Sequence, residues 1–221
     1  IYSIFINQTE SPALSNISAR KALRLATPKN AIIEDIFNGY ADIVNSPIQG
    51  FSPERQDGFS QNLEEAEKIL IDAGWEKNEE GTYTLETEDE NFLLSTSIST
   101  SNVPELVEIA ELIANEWRKI GVEVSVKVFD VSDLNQNVIR PRNFETLLFG
   151  NVINTPADLY SFWHSSRRND PGLNITGYAN IETDAVLEDL AEKSINEISE
   201  ENINNLISEI KQDVPAIFLY S

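Results

Sequence analysis

The chain has 221 residues, 37 acidic and 16 basic, for a net charge of -21, with one His, no Cys and no Met. A surface this negative repels phosphate backbones and anionic lipid heads, which excludes nucleic acid as a partner class. The absence of Cys excludes thiolate catalysis, thiolate metal sites and disulfides. Apolar residues make up 41%, enough for a buried core. No apolar run approaches the roughly 18 residues that a membrane-spanning helix needs. The chain opens at Ile1 and holds no Met, so it reads as a piece of a longer product.

Residues 1–7, IYSIFIN, read as an apolar strand, and NISARKALRLAT as a helix with Ala22, Leu23, Leu25 and Ala26 on one face. Thr27 is expected to cap a second helix with Pro28 in its first turn, a buried stripe of Ile32, Ile33, Ile36 and Phe37, and Gly39 as its stop. Pro47, Gly50, Pro53 and Gly58 mark a loop over 40–60. LEEAEKILIDAG has helical spacing and ends at Gly74. GTYTLE and NFLLS flank the polar turn TEDEN and predict a hairpin.

FLLSTSIST reads as a strand. Pro104 opens a long helix to Ile120, with Leu106, Ile109, Ala110, Ile113 and Trp117 inward, and Gly121 closes it. Val122, Val124, Val126 and Val128 then alternate with polar residues, the period of a strand with one buried face. A short helix near 132–139 and a strand over 144–149 follow. Strand–helix–strand–helix–strand predicts two crossover units and a parallel sheet. Helices starting at Thr155 and spanning about 182–196 and 200–213, then the strand AIFLY, complete one α/β domain.

Enzymatic chemistry finds little support. His164 lies in FWHSS, where periodicity places it on a helix as a locally hydrogen-bonded residue, and the sequence supplies no oriented acid for a triad. Phosphate-binding motifs and a spaced calcium loop are absent. The loops at the strand ends are rich in uncharged hydrogen-bonding groups: Thr100, Ser101 and Asn102; Phe129 and Asp130; Gly150, Asn151 and Asn154. In an open α/β sheet ligands bind outside the carboxyl ends of the strands, and Asn and Thr there can pair with a ligand without adding charge. Arg140, between the second and third strands, is a further candidate. Asn102 before Pro104, and Asn154 before Thr155, have the alternative role of helix caps.

Seven segments in order resemble the C-terminal lobe of the oligopeptide- and dipeptide-binding proteins, the substrate receptors of ABC importers. They are NQTESPALSNISARKALRLATPKNAIIEDIFNG, LEEAEKILIDAGW, VEIAELIANEWRKIGVEVSV, NFETLLFG, ADLYSFWHSS, PGLNITGYAN with Asp184 after it, and DVPAIFLY. The resemblance implies a type II periplasmic-binding-protein lobe: an open, mainly parallel sheet with helices on both faces, all 221 residues forming one lobe of a two-lobed receptor. The first and last strands would be the crossings to an N-terminal lobe.

It further implies a monomeric, non-enzymatic protein without cofactor, secreted or lipid-anchored at the extracellular face of the membrane or in the periplasm. Such a protein captures a peptide or other small solute and delivers it to a membrane permease. A sensory or adhesive protein reusing the lobe is the alternative. Asn174, Tyr178 and Asn180 match a family segment near the cleft. The family's peptide binders place an Asp shortly after the strand that ends in Gly. Here that stretch reads GNVINTPAD, with Val152, Ile153 and Asn154 in its place and Asp158 as the next acid, expected in the first turn of the helix. An uncharged Asn cannot pair with a peptide amine, so the ligand class stays open among peptides, sugars, metal chelates, haem and opines.

Overall fold

A computed structural model describes residues 1–48, 60–88, 90–153, 155–192 and 199–221. Strand β1 (Tyr2–Ile6) leads into α1 (Pro12–Ser15) and α2 (Ile17–Ala26). Asn16 sets the start of α2: its Oδ1 accepts from the N–H groups of Ser18 (2.8 Å) and Ala19 (3.3 Å), which have no partner inside the helix. The following helical segment consists of α3 (Lys29–Ala31) and a π-turn over Ile32–Ile36. Ile32 is fully buried, while Ile33, Ile36 and Phe37 pack against the core from partly buried positions.

Thr27 does not cap that segment. Its hydroxyl donates to Leu23 O (2.7 Å) and accepts from Trp117 Nε1 (3.2 Å), which bolts the end of α2 to the long helix. The turn that follows puts Asn38 and Gly39 at positive φ. Of the predicted loop, Gly50, Pro53 and Gly58 lie outside the described residues.

Helix α4 (Leu63–Asp72) is capped by Asn62 and precedes β2 (Glu76–Lys77), β3 (Tyr83–Glu86) and β4 (Asn91–Leu93). The hairpin expected from GTYTLE and NFLLS forms: β3 pairs antiparallel with β4, and β2 adds a third strand on the other side. FLLSTSIST is two strands rather than one. The chain changes sheets at the fully buried Leu94, and β5 (Ser95–Ser101) enters the main sheet.

Helix α5 (Pro104–Lys119) buries all five residues of its predicted core face. Strand β6 (Glu123–Phe129), α6 (Val131–Asp133) with a π-turn over Leu134–Ile139, and β7 (Thr146–Gly150) complete the two crossovers. The valine alternation does not mark a continuous buried face. Val122 and Val124 are buried, Val126 is half-buried and Val128 is exposed, so burial fades towards the carboxyl end of β6, an edge strand with a neighbour on one side only. Helix α7 (Asp158–Trp163), α8 (Ile181–Glu192), α9 (Glu200–Asp213) and β8 (Ala216–Tyr220) follow.

The main sheet has the order β6-β5-β7-β1-β8. Strands β5, β6 and β7 are mutually parallel. β1 is antiparallel to both β7 and β8, so four strands share one direction and β1 opposes them. One core lies on the face of Ile4, Ile98, Leu148 and Ile217, with α2 and α5 packed on it. The other lies on the face of Phe5, Leu147 and Phe218, beneath α7, α8 and α9. Helices therefore cover both faces of the sheet.

Two details give measurable consequences. Gly121 has φ +78°, and a Cβ there would meet Gly81 O at 2.8 Å and Tyr83 Cδ2 at 3.0 Å. Gly121→Ala is expected to lower unfolding free energy in urea by about 1–2 kcal/mol or more, since strain and contact act together. Lys29 is buried, with its Nζ donating to Asn45 Oδ1 (2.7 Å). Burial, then repulsion from Arg24 and Lys211, lowers its pKa from 10.5 to about 7. Between those values the unfolded chain holds more protons than the fold. Lys29 thus opposes folding fully below about pH 7, and stability rises from about pH 7 towards 10. Urea unfolding of Lys29→Met across that window should show a flatter slope.

Candidate functional site

The seam between β5 and β7 fixes the site. Backbone pairing here is short, with Ile98 opposite Thr146 and Ser99 opposite Leu147. Side chains extend it. Thr146 Oγ1 donates to Ser97 O (2.9 Å), and Thr100 Oγ1 donates to Leu148 O (3.2 Å). Below them, Glu145 Oε2 accepts from Ser97 N (2.6 Å) and Ser97 Oγ (2.7 Å). Within STSISTS the Ser97 and Thr100 hydroxyls so paired avoid the cost of an unsatisfied buried group, whereas Thr96 Oγ1 is buried without a hydrogen-bond partner.

With β5, β6 and β7 parallel, their carboxyl ends form one edge. Asn102 lies there, and its backbone N donates to Phe129 O (2.8 Å) and its Nδ2 to Asp130 Oδ1 (2.6 Å). Asn102 is therefore not a cap for α5, whose preceding residue Val103 makes no side-chain cap. It joins the end of β5 to the end of β6. Phe129 is half-buried and packs on the second core, whereas Asp130 is exposed. Asn151, at the end of β7, is half-buried and exchanges backbone hydrogen bonds with Ile1: its O accepts from the Ile1 amino group (2.8 Å), and its N donates to Ile1 O (3.0 Å).

The feature that sequence reading missed is apolar. Val103, Val128, Val131 and Val152 are 38%, 46%, 52% and 73% exposed, and all four stand at the carboxyl ends of these strands or one or two residues beyond. Exposed valines scattered singly need no explanation, whereas four at one sheet edge make that edge the candidate contact surface. Val128 was hidden among the alternating valines. Only its position at the end of an edge strand sets it apart. Gly150 belongs to the same edge. A Cβ there would meet the Tyr2 ring at 2.9 Å, and Tyr2 stacks on Tyr220 with centroids 4.8 Å apart.

The remaining sequence candidates lie elsewhere. Thr100 is fully buried in the seam. Arg140 is exposed at the end of the π-turn that leads away from this edge. Asn154 lies outside the described residues. Asn174 is fully buried, and its Nδ2 donates to Trp163 O, His164 O and Tyr178 O (3.3, 3.2 and 2.8 Å) while its Oδ1 accepts from Thr176. Tyr178 is buried and donates to Asp213 Oδ2 (2.9 Å), and burial raises its pKa. Asn180 caps α8 by accepting from Glu182 N and Thr183 N. These three organise the packing of α7, α8 and α9. Asp158, in the first turn of α7, accepts from Thr155 N (2.9 Å).

His164 ends α7, at the far end of that helix from the strand edge. Its Nδ1 lies 3.1 Å from Ser166 N and 2.8 Å from Ser166 Oγ, and its Nε2 lies 3.3 Å from Glu188 Oε1. Among the described residues no group of His, Asp and Glu is placed to hold a metal ion, and no helix is long and apolar enough to cross a membrane.

A mainly parallel sheet with helices on both faces, and an exposed contact edge at the strand carboxyl ends, is the architecture of type II periplasmic-binding-protein-like domains. Solved structures agree in fold. The oligopeptide-binding protein AppA of Bacillus subtilis, in complex with a nonapeptide, superposes with TM-score 0.85 at 23% identity, covering 99% of this chain and 44% of that one. NikZ of Campylobacter jejuni, in complex with Ni(L-His), gives 0.84 at 23%, with the same coverage.

The profile of bacterial extracellular solute-binding proteins, family 5 middle, matches residues 1–171, and the chain belongs to that family. It is 27% identical over 208 residues to Bacillus subtilis oligopeptide-binding protein AppA, covering 91% of this chain and 38% of the relative. To heme-binding protein A of Haemophilus influenzae it is 31% identical over 129 residues, 57% of this chain and 22% of the relative. To nickel-binding protein NikA of Staphylococcus aureus it is 23% identical over 205 residues, 91% of this chain and 39% of the relative. The chain thus spans less than half the length of these relatives.

Two asparagines now separate by role. Asn174→Ala would remove the side-chain donor from Trp163 O and Tyr178 O, while His164 O keeps Arg167 N, and urea unfolding should show a loss of about 2–4 kcal/mol. Asn102→Ala, at an exposed position, should cost no more than about 1 kcal/mol.

Proposed function

We propose that the chain is the C-terminal ligand-binding lobe of an extracellular receptor of an ABC importer. The edge formed by the ends of β5, β6 and β7 is one wall of the cleft, and a second lobe supplies the other. A peptide or similar small solute is held between them and passed to a membrane permease. The observation that carries this reading is the set of four exposed valines at the strand ends of a family 5 fold.

Relatives of this family bind different cargo. Their names include oligopeptide, heme and nickel, which supports a common mode of capture with the cargo set by the cleft walls. The coverage of the relatives supports the two-lobed arrangement. Lobes of this kind close by a hinge, and closure removes water from both walls together. A single wall then buries only part of the solute surface, and much of the affinity is absent without the second. Outside the cell, a lobe without Cys relies on its packed core for stability, which the two clusters across the sheet provide. The reading places the receptor at the outer face of the membrane, lipid-anchored or free in the periplasm, and as a monomer.

Mass spectrometry of the full-length receptor, purified natively and then denatured, should release one small solute in near-equimolar amount. The 221-residue chain purified the same way should release at least about 100-fold less per molecule, in line with the loss of half the buried contact area. Equal retention by the chain alone would contradict a cleft shared between two lobes. Absence of any solute, with no binding from a library of peptides, sugars and metal chelates, would contradict solute capture.

A further inference from the structure

The charge distribution at the strand edge limits what the edge can hold. The segments that form it bring carboxylates and no Lys or Arg among the described residues. Glu105 lies in the first turn of α5, and Asp133 accepts from Asn137 Nδ2 (2.6 Å). Lys127, the nearest cation in sequence, instead lines a recess of about 220 Å³ with Ser97, Ser125, Glu123 and Glu145, at the opposite ends of the strands. Apart from the Ile1 amino group, which is bonded to Asn151 O (2.8 Å), a carboxylate or phosphate group resting on the edge would lose water and meet no cationic side chain among these segments.

Asp130 differs from its neighbours in its setting. It lies between Phe129 and Val131 at the end of β6, exposed, with Asn102 Nδ2 holding Oδ1 at 2.6 Å. It forms none of the ion pairs found among the described residues. One amide bond orients a carboxylate and leaves most of its acceptor sites open. The group is therefore held in place, with exposed Val128 and Val131 within two residues of it in the chain and exposed Val103 next to its partner Asn102. Apolar neighbours exclude water when a ligand covers them, and the carboxylate's attraction for a cation strengthens as they do.

Resting on the reading that this edge faces the solute, we propose that it selects a solute with an apolar body and no negative charge on the part it touches, and that Asp130, held by Asn102, receives a cationic group of that solute. This locates a counter-charge at the end of β6, whereas Asn151, Val152 and Ile153, which follow β7, offer no carboxylate.

Three probes with one side chain and different charge test it: leucinamide (cationic), N-acetyl-leucinamide (neutral) and N-acetyl-leucine (anionic). They are titrated into the 15N-labelled 221-residue chain and followed by amide shifts. The first two should shift residues 102–103, 128–131 and 151–152, with leucinamide binding up to about tenfold tighter than the neutral probe. N-acetyl-leucine should be the weakest. Asp130→Asn should erase the lead of leucinamide and leave the neutral probe unchanged. If the variant's spectrum is not that of a folded chain, Asn102→Ala, which frees the carboxylate to move, should reduce the same lead. The proposal is overturned if N-acetyl-leucine binds as well as leucinamide, or if the lead survives both substitutions, while the edge still responds. If none of the three shifts the edge, the assignment of this edge as the solute-facing wall fails, and the inference with it.

Discussion

Chain direction at the seam of β5 and β7 governs the rest of this structure. Only two residue pairs of regular backbone register join these strands, and Thr146, Thr100, Ser97 and Glu145 supply the remaining hydrogen bonds from side chains. That seam holds β7 parallel to β5, and β5 in turn holds β6 parallel. Three carboxyl ends then have to lie along one edge. Had β7 entered antiparallel, Asn151 and Val152 would lie at the opposite end of the sheet from Asn102 and Asp130. The candidate edge is thus a consequence of two crossovers and a polar seam, and needs no special local conformation.

Much of this is legible in the residues. Period 3.6 over 104–120, period 2 over 122–128 and Gly121 between them specify helix, turn and strand with little ambiguity, and two successive crossovers imply a parallel sheet. The reversal of β1 and the strand order β6-β5-β7-β1-β8 depend on long-range pairing that leaves no local mark. Neither does the change of sheet at Leu94, where nothing interrupts the apolar run FLL. Thr27 shows the limit of cap rules. Thr before Pro has the composition of an N-cap, yet a buried hydroxyl close to Trp117 Nε1 is better satisfied there and at Leu23 O.

The candidate edge was legible in outline only. The rule that ligands lie outside strand carboxyl ends points to Asn102, Phe129, Asp130 and Asn151, and the structure brings these to one edge. Polarity misleads for Asn174 and Tyr178. Side chains that can bind a ligand can equally bind backbone carbonyls, and burial decides between the two uses. The exposed valines had no polar signal to find. An apolar residue reads as core until its neighbours are known, and at the end of an edge strand there are few.

The central claim is that the ends of β5, β6 and β7 form the solute-facing wall of a two-lobed receptor. A crystal structure of the full-length receptor with the solute it retains on purification tests this most directly. The account predicts solute atoms in van der Waals contact with Val131 or Val152 and within hydrogen-bond reach of Asp130 or Asn102, with a second lobe closing over them. Solute bound wholly elsewhere, with this edge open to water or buried against protein alone, would contradict it.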